Sequence, residues 1–235
     1  MNDYKFHKKF LCLILLIVKF GLPCHAQSSI IAEKDSTYLP ADSLFARYLH
    51  SQNVAIINNN DLKLMPSGRE KFNDLFEEIK KAKHHIHLEY FNFRNDSIGN
   101  ALFDLLAEKV KDGVKVRAMF DAFGNMSNNR PLRKRLLKDL SKRGIEIITF
   151  DPITFPYVNH HQKIIVIDGK VGYTGGMNIA DYYINGLPKI GAWRDMHIRI
   201  KGPAVEKLQE VFLTMWNKET KQQIGGDEYF PFGED

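Results

Sequence analysis

The chain has 235 residues, of which 44% are hydrophobic and 26% charged, so it can form one sizeable hydrophobic core. Its formal net charge is +5, and four lysines against one aspartate place +3 of this in the first 26 residues. The +2 that remains excludes the strongly basic surface typical of nucleic-acid-binding proteins, so we expect no nucleic-acid partner.

Residues 1–26 have the pattern of an export signal. A start rich in lysine is followed by the apolar run from Phe10 to Val18, and Ala26 is a small residue at which cleavage would leave Gln27 as the new terminus. We therefore expect a signal peptide or an N-terminal membrane anchor, and an exported protein that is periplasmic or associated with the outer face of the membrane. Both cysteines lie in this segment, so a cleaved chain would contain no disulfide.

Residues 27–50 form a lead segment that is polar and then weakly helical. Two short strands are predicted next, from Val54 to Ile57 and from Leu62 to Met65. Ser67, with Glu70 three residues on, has the capping-box pattern of a helix start. The helix that follows carries one apolar stripe, which consists of Phe72, Leu75, Phe76 and Ile79.

The stretch from His84 to Phe93 alternates as a strand, with His85, His87 and Glu89 on its polar face. This face resembles a metal site, but no further ligand cluster nearby completes a coordination set. We therefore expect the polar face to line a cleft, and we expect no metal and no other cofactor.

Helices and strands alternate through the next sixty residues. Helices are predicted from Ile98 to Val110 and from Pro131 to Arg143, and strands from Val114 to Phe120 and from Ile145 to Phe150. The second helix is basic, which indicates a solvated face or, alternatively, a surface for lipid headgroups. This alternation predicts an α/β layered fold.

The most informative stretch begins at His160 and reads H-H-Q-K-I-I-V-I-D-G-K-V-G-Y-T-G-G-M-N. Its unbroken apolar run is typical of a strand buried on both faces, and His161 and Lys163 stand two apart at the mouth of that strand. Residues two apart in a strand share a face. A histidine that attacks phosphorus and a lysine that holds phosphate oxygens would then lie side by side.

The second half of this stretch adds groups that suit an anion. Asp168-Gly169 predicts a tight hairpin turn. The returning strand ends at Gly175 and Gly176, where a backbone without side chains can approach an anion closely. Asn178 then brings an amide that can donate to a phosphoryl oxygen.

The pattern H-x-K-x4-D-x6-G-G-x-N resembles the signature of the phospholipase D superfamily, and I-H-L-E-Y-F-N-F-R and W-R-D-x-H-x-R-I-x-G-P-A-V resemble the first repeat of bacterial cardiolipin synthases. The resemblance implies a mixed β-sheet flanked by helices, with one catalytic repeat over residues 51–221 and a tail over residues 222–235 that resembles an inter-repeat linker. His160 falls outside the motif, because Gln162 and not lysine follows it by two.

The same resemblance implies the roles of the site residues. His161, Lys163 and Asp168 would be catalytic, although Asp168 falls at a turn and by position is better suited to bracing the motif loop. Asp195 would be the downstream acid that orients the histidine, and Glu89 would lie near the site. The groups that would bind the substrate phosphate are Lys163, Gly175, Gly176 and Asn178.

The implied activity is a phosphatidyl transfer or phospholipase reaction through a phosphohistidine, on a phosphatidylglycerol-like phospholipid at a membrane surface. The family builds each active site from two motifs, whereas this sequence contains one. We therefore expect a homodimer in which one His161 attacks phosphorus and the other protonates the leaving oxygen. The alternatives are a homodimeric phosphodiesterase or nuclease, or an inactive half of a two-repeat enzyme.

Overall fold

The computed structural model describes residues 41–151 and 159–232. The predicted leader, residues 1–26, lies outside the described residues. The chain divides into two compact units, Met1–Val54 and Ala55–Asp235. In the first unit the described residues form one helix, α1 (Ala41–Ser51), as the weak helical pattern of the lead segment predicts.

The second unit is built on a seven-stranded sheet. Its strands are β1 (Asp61–Met65), β2 (His85–Tyr90), β3 (Lys115–Asp121), β4 (Glu146–Phe150), β5 (Lys163–Ile167), β6 (Val171–Gly175) and β7 (His197–Lys201). Its helices are α2 (Gly68–Lys81), α3 (Ser97–Lys111), α4 (Ala122–Ser127), α5 (Lys134–Lys142), α6 (Tyr182–Asn185) and α7 (Val205–Thr220), and a short 3₁₀ turn follows at Asp227–Tyr229.

The strands lie in the order β1-β7-β6-β5-β2-β3-β4. β2, β3 and β4 run parallel, as their helical crossovers require, and the other neighbours pair antiparallel. The sheet is therefore mixed and has helices on both sides, which confirms the predicted layered α/β fold.

Each face of the sheet has its own apolar core. The larger core lies under α2 and α3, where Phe72, Leu75 and Leu106 are buried against β2 and β5. The opposite face is covered by α7, whose Phe212 and Trp216 are buried. The capping box at the start of α2 forms as predicted, because Ser67 accepts a hydrogen bond from the Glu70 amide and donates one to its carboxylate.

The register of β2 against β5 decides which side chains share a face. Tyr90 pairs with Lys163, and Glu89 pairs with Ile164. Directly paired residues project to the same side of a sheet, so Lys163 belongs to the face under α2 and Glu89 to the face under α7.

Several local predictions were wrong. The stretch from Val54 to Ile57 is not a strand, and the helices α4 and α6 were not predicted. The basic helix begins at Lys134 rather than at Pro131. The largest correction concerns the polar face of β2, which lines no cleft: His85, His87 and Glu89 are at most 2% exposed because α7 lies over them.

Gln209 of α7 makes this burial tolerable. Its amide group lies 3.2 Å from a ring nitrogen of His85 and 2.8 Å from one of His87, so the two rings have polar partners. Burial lowers the pKa of His85 to about 4 and that of His87 well below its ordinary value. Both rings are therefore neutral in the folded protein at neutral pH.

These histidines predict a loss of stability in mild acid. Below pH 6.5 the unfolded chain binds protons at these rings, whereas folded His85 stays neutral down to about 4. Each ring should therefore remove up to about 1.4 kcal/mol of unfolding free energy per pH unit through this window. Urea denaturation at pH 7, 6 and 5 measures the slope.

Two variants separate this effect from general acid sensitivity. His85→Gln should flatten the slope between pH 6.5 and 4, whatever it does to the stability at pH 7. His84→Gln, which changes an exposed ring, should leave the slope unchanged. Equal slopes in all three proteins would contradict the assignment.

Candidate active site

His161 and Lys163 are in contact at the start of β5. Lys163 is the first residue of the strand and is 4% exposed, whereas His161 is exposed. The ammonium Nζ lies 3.0 Å from Nδ1 of the imidazole and donates to the His161 carbonyl oxygen at 2.5 Å. The spacing of His161 and Lys163 predicts that they share a face, and the structure places them in direct contact.

The charges of this pair favour a neutral imidazole beside a cation. Burial and the neighbouring ammonium both lower the pKa of His161, so its ring is unprotonated at neutral pH. Burial lowers the pKa of Lys163 to about 8, and the opposing effect comes from the carboxylate of Asp195. Lys163 thus remains largely protonated at pH 7, and it can bind an anion beside a nucleophilic ring nitrogen.

Lys71 of α2 is a further member of the site that the sequence analysis missed. Its side chain is fully buried, and its ammonium donates to the carbonyl oxygens of Met177 and Asn178 at 2.8 and 3.2 Å. The same ammonium lies about 5 Å from the ring centroid of Tyr90. A lysine four residues before Leu75, within the apolar stripe of α2, was the available signal.

Asn178, whose backbone carbonyl accepts from this lysine, is 8% exposed. Its side-chain oxygen accepts from the Asn92 amide, and its side-chain nitrogen donates to the Tyr183 hydroxyl, both at 3.4 Å. These bonds are long, so the Asn178 amide is held in place only weakly by its protein partners.

The two glycines of the motif make room for side chains. A Cβ on Gly176 would lie 2.1 Å from the Asp195 carboxylate, and one on Gly175 would lie 2.7 Å from Nδ1 of His197. Burial and the charges of two lysines lower the pKa of His197 to about 2, so this ring is neutral. We expected these glycines to allow the approach of an anion, and the structure also gives them this packing role.

Asp195 lies close to the site, but not in the position against His161 that we expected. One of its oxygens accepts from the Met196 amide at 2.7 Å. Burial lowers the pKa of Lys71 well below its ordinary value and also lowers that of Lys163, and the charge of Asp195 opposes both shifts. The hydrogen bonds of the described residues include none between Asp195 and His161. Asp195 therefore balances the two lysines, whereas Nδ1 of His161 faces Lys163.

Asp168 lies at the other end of β5 from Lys163, in the turn to β6, with a φ of 52°. Its carboxylate accepts three backbone N–H bonds of 2.8 to 2.9 Å, which come from Lys83, His84 and His85 at the start of β2. The motif counts Asp168 as catalytic, but this position and these bonds describe a brace for the hairpin.

Glu89 is also near the site, but on the α7 side of the sheet. It is fully buried, and its Oε1 lies 2.6 Å from Nδ1 of His160, the histidine that the motif leaves out. The backbone amide of His160 donates to Asp121 at 2.7 Å, and the ring of His160 packs 4.0 Å from that of Phe150. The two consecutive histidines thus have separate sets of partners.

A cavity of about 500 Å³ opens beside these histidines. One wall is the segment before β5, which includes His160, His161 and Gln162, and the other wall is α7. The α7 side chains that line the cavity are Lys207, Glu210, Val211, Thr214 and Met215. Among the described residues no group of three or more metal-ligating side chains is present.

Comparison with solved structures defines the class of fold. Nuc from Salmonella typhimurium, a phospholipase D family member, matches 68% of this chain and 95% of its own length with a TM-score of 0.52 and 19% identity. NucT from Helicobacter pylori matches 72% of this chain and all of its own length, with a TM-score of 0.54 and 15% identity. These similarities show a phospholipase D-type fold.

Comparison of sequences shows the family. The family model described as "Cardiolipin synthase, PLD-like domain" matches residues 75–216. The cardiolipin synthase of Halalkalibacterium halodurans is 40% identical over 178 residues, and that of Staphylococcus aureus N315 is 34% identical over 228. The chain belongs to the phospholipase D superfamily, within the cardiolipin synthase family of phospholipase D-like domains.

The chain spans less than half the length of these two relatives. The H. halodurans match covers 73% of this chain but 35% of the relative, and the S. aureus match covers 91% and 45%. The activity and substrates of the whole relatives therefore reach this chain only as a proposal.

The expectation of an exported, periplasmic protein is wrong. The sequences that it matches are bacterial cardiolipin synthases, and these matches do not support export to the periplasm. An export pattern in the sequence does not outweigh matches of this strength. Within residues 41–151 and 159–232, no helix has the length and hydrophobicity needed to cross a membrane.

The bracing role of Asp168 predicts a variant that loses stability but not chemistry. The two oxygens of the Asp168 carboxylate together accept three backbone N–H bonds. Asp168→Asn replaces one of these oxygens with an amide nitrogen that cannot accept, which should lower the unfolding free energy by about 1–3 kcal/mol. Folded Asp168→Asn protein should keep the reactivity of His161. Urea denaturation and the rate per folded chain measure the two effects.

The matched control is Asp104→Asn, which breaks an exposed ion pair with Arg143 and should cost little. A stable Asp168→Asn protein in which the reactivity of His161 is lost would instead give Asp168 a catalytic role.

Proposed function

We propose that this domain transfers a phosphatidyl group between alcohols, as cardiolipin synthases do, through a covalent intermediate on His161. The observation that carries the proposal is the contact between a neutral, accessible imidazole and the ammonium of Lys163. A nucleophile beside a fixed cation suits attack on an anionic phosphodiester, because the cation stabilises the charge that develops on the phosphoryl oxygens.

The tautomer of His161 indicates how the substrate would prepare the nucleophile. An ammonium has no acceptor, so Nδ1 of His161 must accept from Lys163 and the neutral ring carries its proton on Nε2. A phosphodiester that draws Lys163 onto its own oxygens would free Nδ1 to hold the proton. Nε2 would then have the lone pair with which to attack phosphorus.

The phosphate would bind on the α2 side of the sheet. Lys163 lies there with Asn178, whose side-chain amide is only weakly held, and Lys71 donates to backbone carbonyl oxygens of the loop that contains Asn178. The charge of Asp195 opposes the lowering of the pKa that burial causes at both lysines. An alcohol as acceptor gives transfer, whereas water gives phospholipase activity.

We propose a phosphatidylglycerol-like phospholipid as the substrate, presented at a membrane surface. The basic helix α5 supports this proposal, since its lysines and arginines, including Arg135 and Lys138, line a second surface cavity. Such clusters favour anionic lipid headgroups by about 1 kcal/mol per basic residue.

A phosphodiesterase or nuclease is the second candidate. The structural matches favour it, because they cover 95% of the Nuc chain and all of the NucT chain. They cover 68% and 72% of this chain. Against it stand the mild net charge and the far higher sequence identity to cardiolipin synthases. An inactive half of a two-repeat enzyme would fail the covalent test below.

We also propose that the domain pairs with a second phospholipase D-like repeat, which is a second copy of this chain in the homodimer. The segment before β7, beside Asp195, supports this pairing because it presents three exposed apolar side chains, Ile190, Trp193 and Met196. Apolar side chains grouped at the edge of a polar site are typical of a surface that another protein covers.

The covalent route predicts that His161 can be labelled. Brief incubation with phospholipid that carries ³²P in its phosphodiester, followed by rapid denaturation, should leave an acid-labile phosphoryl group on the chain. His161→Ala should abolish the label, and Lys163→Ala should slow its formation by at least about 100-fold because the phosphoryl charge loses its cation. His84→Gln is the control and should be labelled normally. Label that persists in His161→Ala would remove this residue from its role.

The assembly is predicted separately. Light scattering of the purified chain should give twice its 27.1 kDa mass, and turnover per chain should fall when dilution separates the copies. Replacing Trp193 with Ser should shift the protein toward monomer. A monomer with undiminished turnover would contradict the homodimer.

A further inference from the structure

The mild net charge of the chain is the sum of one strongly basic segment and an acidic remainder. Residues 130–143 contain seven lysines and arginines and one aspartate, which gives this segment a net charge of +6. Residues 27–235 carry +2 in total, so the rest of them together carry −4. The positive charge is therefore concentrated on α5 and the connection before it, beside the edge strand β4.

Most of this charge is not neutralised by the protein itself. Arg143 is paired with Asp104, but the other six cations are exposed and form no ion pair with a described residue. These six are Arg130, Arg133, Lys134, Arg135, Lys138 and Lys142. Four of them line a surface cavity of about 640 Å³ that contains a single acidic residue, Asp139. Such a surface can bind an external anion without first breaking an ion pair of its own.

The short helix α4, which precedes this connection, exposes two large apolar side chains. Met126 is 71% exposed and Phe123 is 39% exposed. Asn125, which lies between them in the chain, bonds through its side chain to both the amide and the carbonyl group of Leu132, so the connection folds back onto α4. One continuous piece of chain, residues 122–142, thus presents both apolar and basic side chains, and we call it the docking surface.

The docking surface begins at the end of the sheet that contains the candidate active site. Lys163 of β5 and Phe120 of β3 both pair with Tyr90 of β2, so β3 ends beside the start of β5. Asp121 then joins the two segments. One of its carboxylate oxygens caps α4 at 2.9 Å, and the other accepts from the backbone amide of His160 at 2.7 Å.

A single aromatic ring separates the docking surface from the nucleophile. The centroid of the Phe91 ring lies 4.6 Å from that of His161 and 6.3 Å from that of Phe123. A Cβ on Gly124 would lie 2.1 Å from the Phe91 carbonyl oxygen, so only glycine lets α4 approach this backbone so closely. A lipid in contact with Phe123 is therefore one ring away from His161.

We propose that the docking surface binds an anionic lipid bilayer and turns the active site toward it. Phe123 and Met126 enter the boundary between headgroups and acyl chains, and the six cations bind the phosphate headgroups. This inference rests on the proposed function, since it states where and in which orientation the lipid substrate is met. Nucleic acid presents similar phosphodiester charges, but it offers no apolar layer for Met126 to enter, so the exposed apolar side chains favour a bilayer.

A fluorescent label at position 126 tests insertion without any turnover. The full chain with Cys12→Ser, Cys24→Ser and Met126→Cys is labelled with nitrobenzoxadiazole and mixed with vesicles of equal parts phosphatidylglycerol and phosphatidylcholine. The fluorescence should rise and be quenched by lipids with brominated acyl chains, because the label leaves water. Vesicles of phosphatidylcholine alone should give neither change. The same label at Lys170→Cys, in the turn between β5 and β6, should stay in water on both kinds of vesicle.

The basic side chains are tested by a variant that neutralises three of the four cations of the cavity. It combines Arg133→Gln, Arg135→Gln and Lys138→Gln. The lipid concentration at half-maximal signal from the label should rise by about 100-fold, because each basic residue near an anionic surface contributes about fivefold to the affinity.

The matched control removes the same charge from exposed lysines at the opposite end of the sheet. It combines Lys83→Gln, Lys115→Gln and Lys170→Gln. These positions are remote from the docking surface, so screening should limit the change in half-maximal lipid concentration to less than about threefold.

Other outcomes would overturn the proposal. Chains that do not bind the vesicles, or bound chains whose label at position 126 stays in water, would show that α4 does not enter the bilayer. Equal losses in the two triple variants would mean that the cations act only through net charge. If the Arg133, Arg135 and Lys138 variant loses affinity for duplex DNA while insertion of the label is unchanged, the basic surface binds nucleic acid instead.

The variant His161→Ala separates this proposal from the proposed function. It should insert the label at position 126 as the unsubstituted protein does, because His161 lies outside the docking surface. A protein that inserts normally but never forms a phosphohistidine would keep the docking surface and lose the proposed reaction. A protein that forms the phosphohistidine without insertion would keep the reaction and lose the docking surface.

Discussion

The β5–β6 hairpin is held at both ends by charged side chains that bond to backbone groups, and the site depends on this. At the closed end the Asp168 carboxylate accepts three backbone N–H bonds from residues at the start of β2. At the open end the Lys71 ammonium donates to the carbonyls of Met177 and Asn178. These bonds from both ends of the hairpin to distant segments fix its position between β2 and β7.

The alternation of side chains along β2 and β5 then divides the site between the two faces of the sheet. Lys163 and Tyr90 lie on the face under α2, and this is where the cations collect. Glu89 lies on the face under α7 and reaches His160. His161 stands at the end of the sheet where the two sides meet. The sheet therefore separates the lysines of the site from the buried carboxylate of Glu89.

This division also explains why neighbouring polar residues have such different roles. His85, His87 and Glu89 alternate on one strand, yet the first two are neutral rings satisfied by Gln209, and only the third faces a histidine that opens to a cavity. The difference comes from the partners, because Gln209 of α7 lies against His85 and His87, whereas Glu89 contacts His160 of the segment before β5. The same polar face therefore contributes His85 and His87 to the packing under α7, and Glu89 to a contact with a residue that lines the cavity.

The amino-acid sequence by itself determined the layered α/β class, most strand and helix positions, and the meeting of His161 with Lys163, because these follow from short-range periodicity and spacing. It also indicated that Asp168 braces a turn. Only the tertiary structure decided the partners that come from distant segments: Lys71 beneath the motif loop, Asp195 against the lysines, and Glu89 against His160. These contacts depend on strand order and register, which place residues from separate parts of the chain together and leave no periodic mark in the sequence.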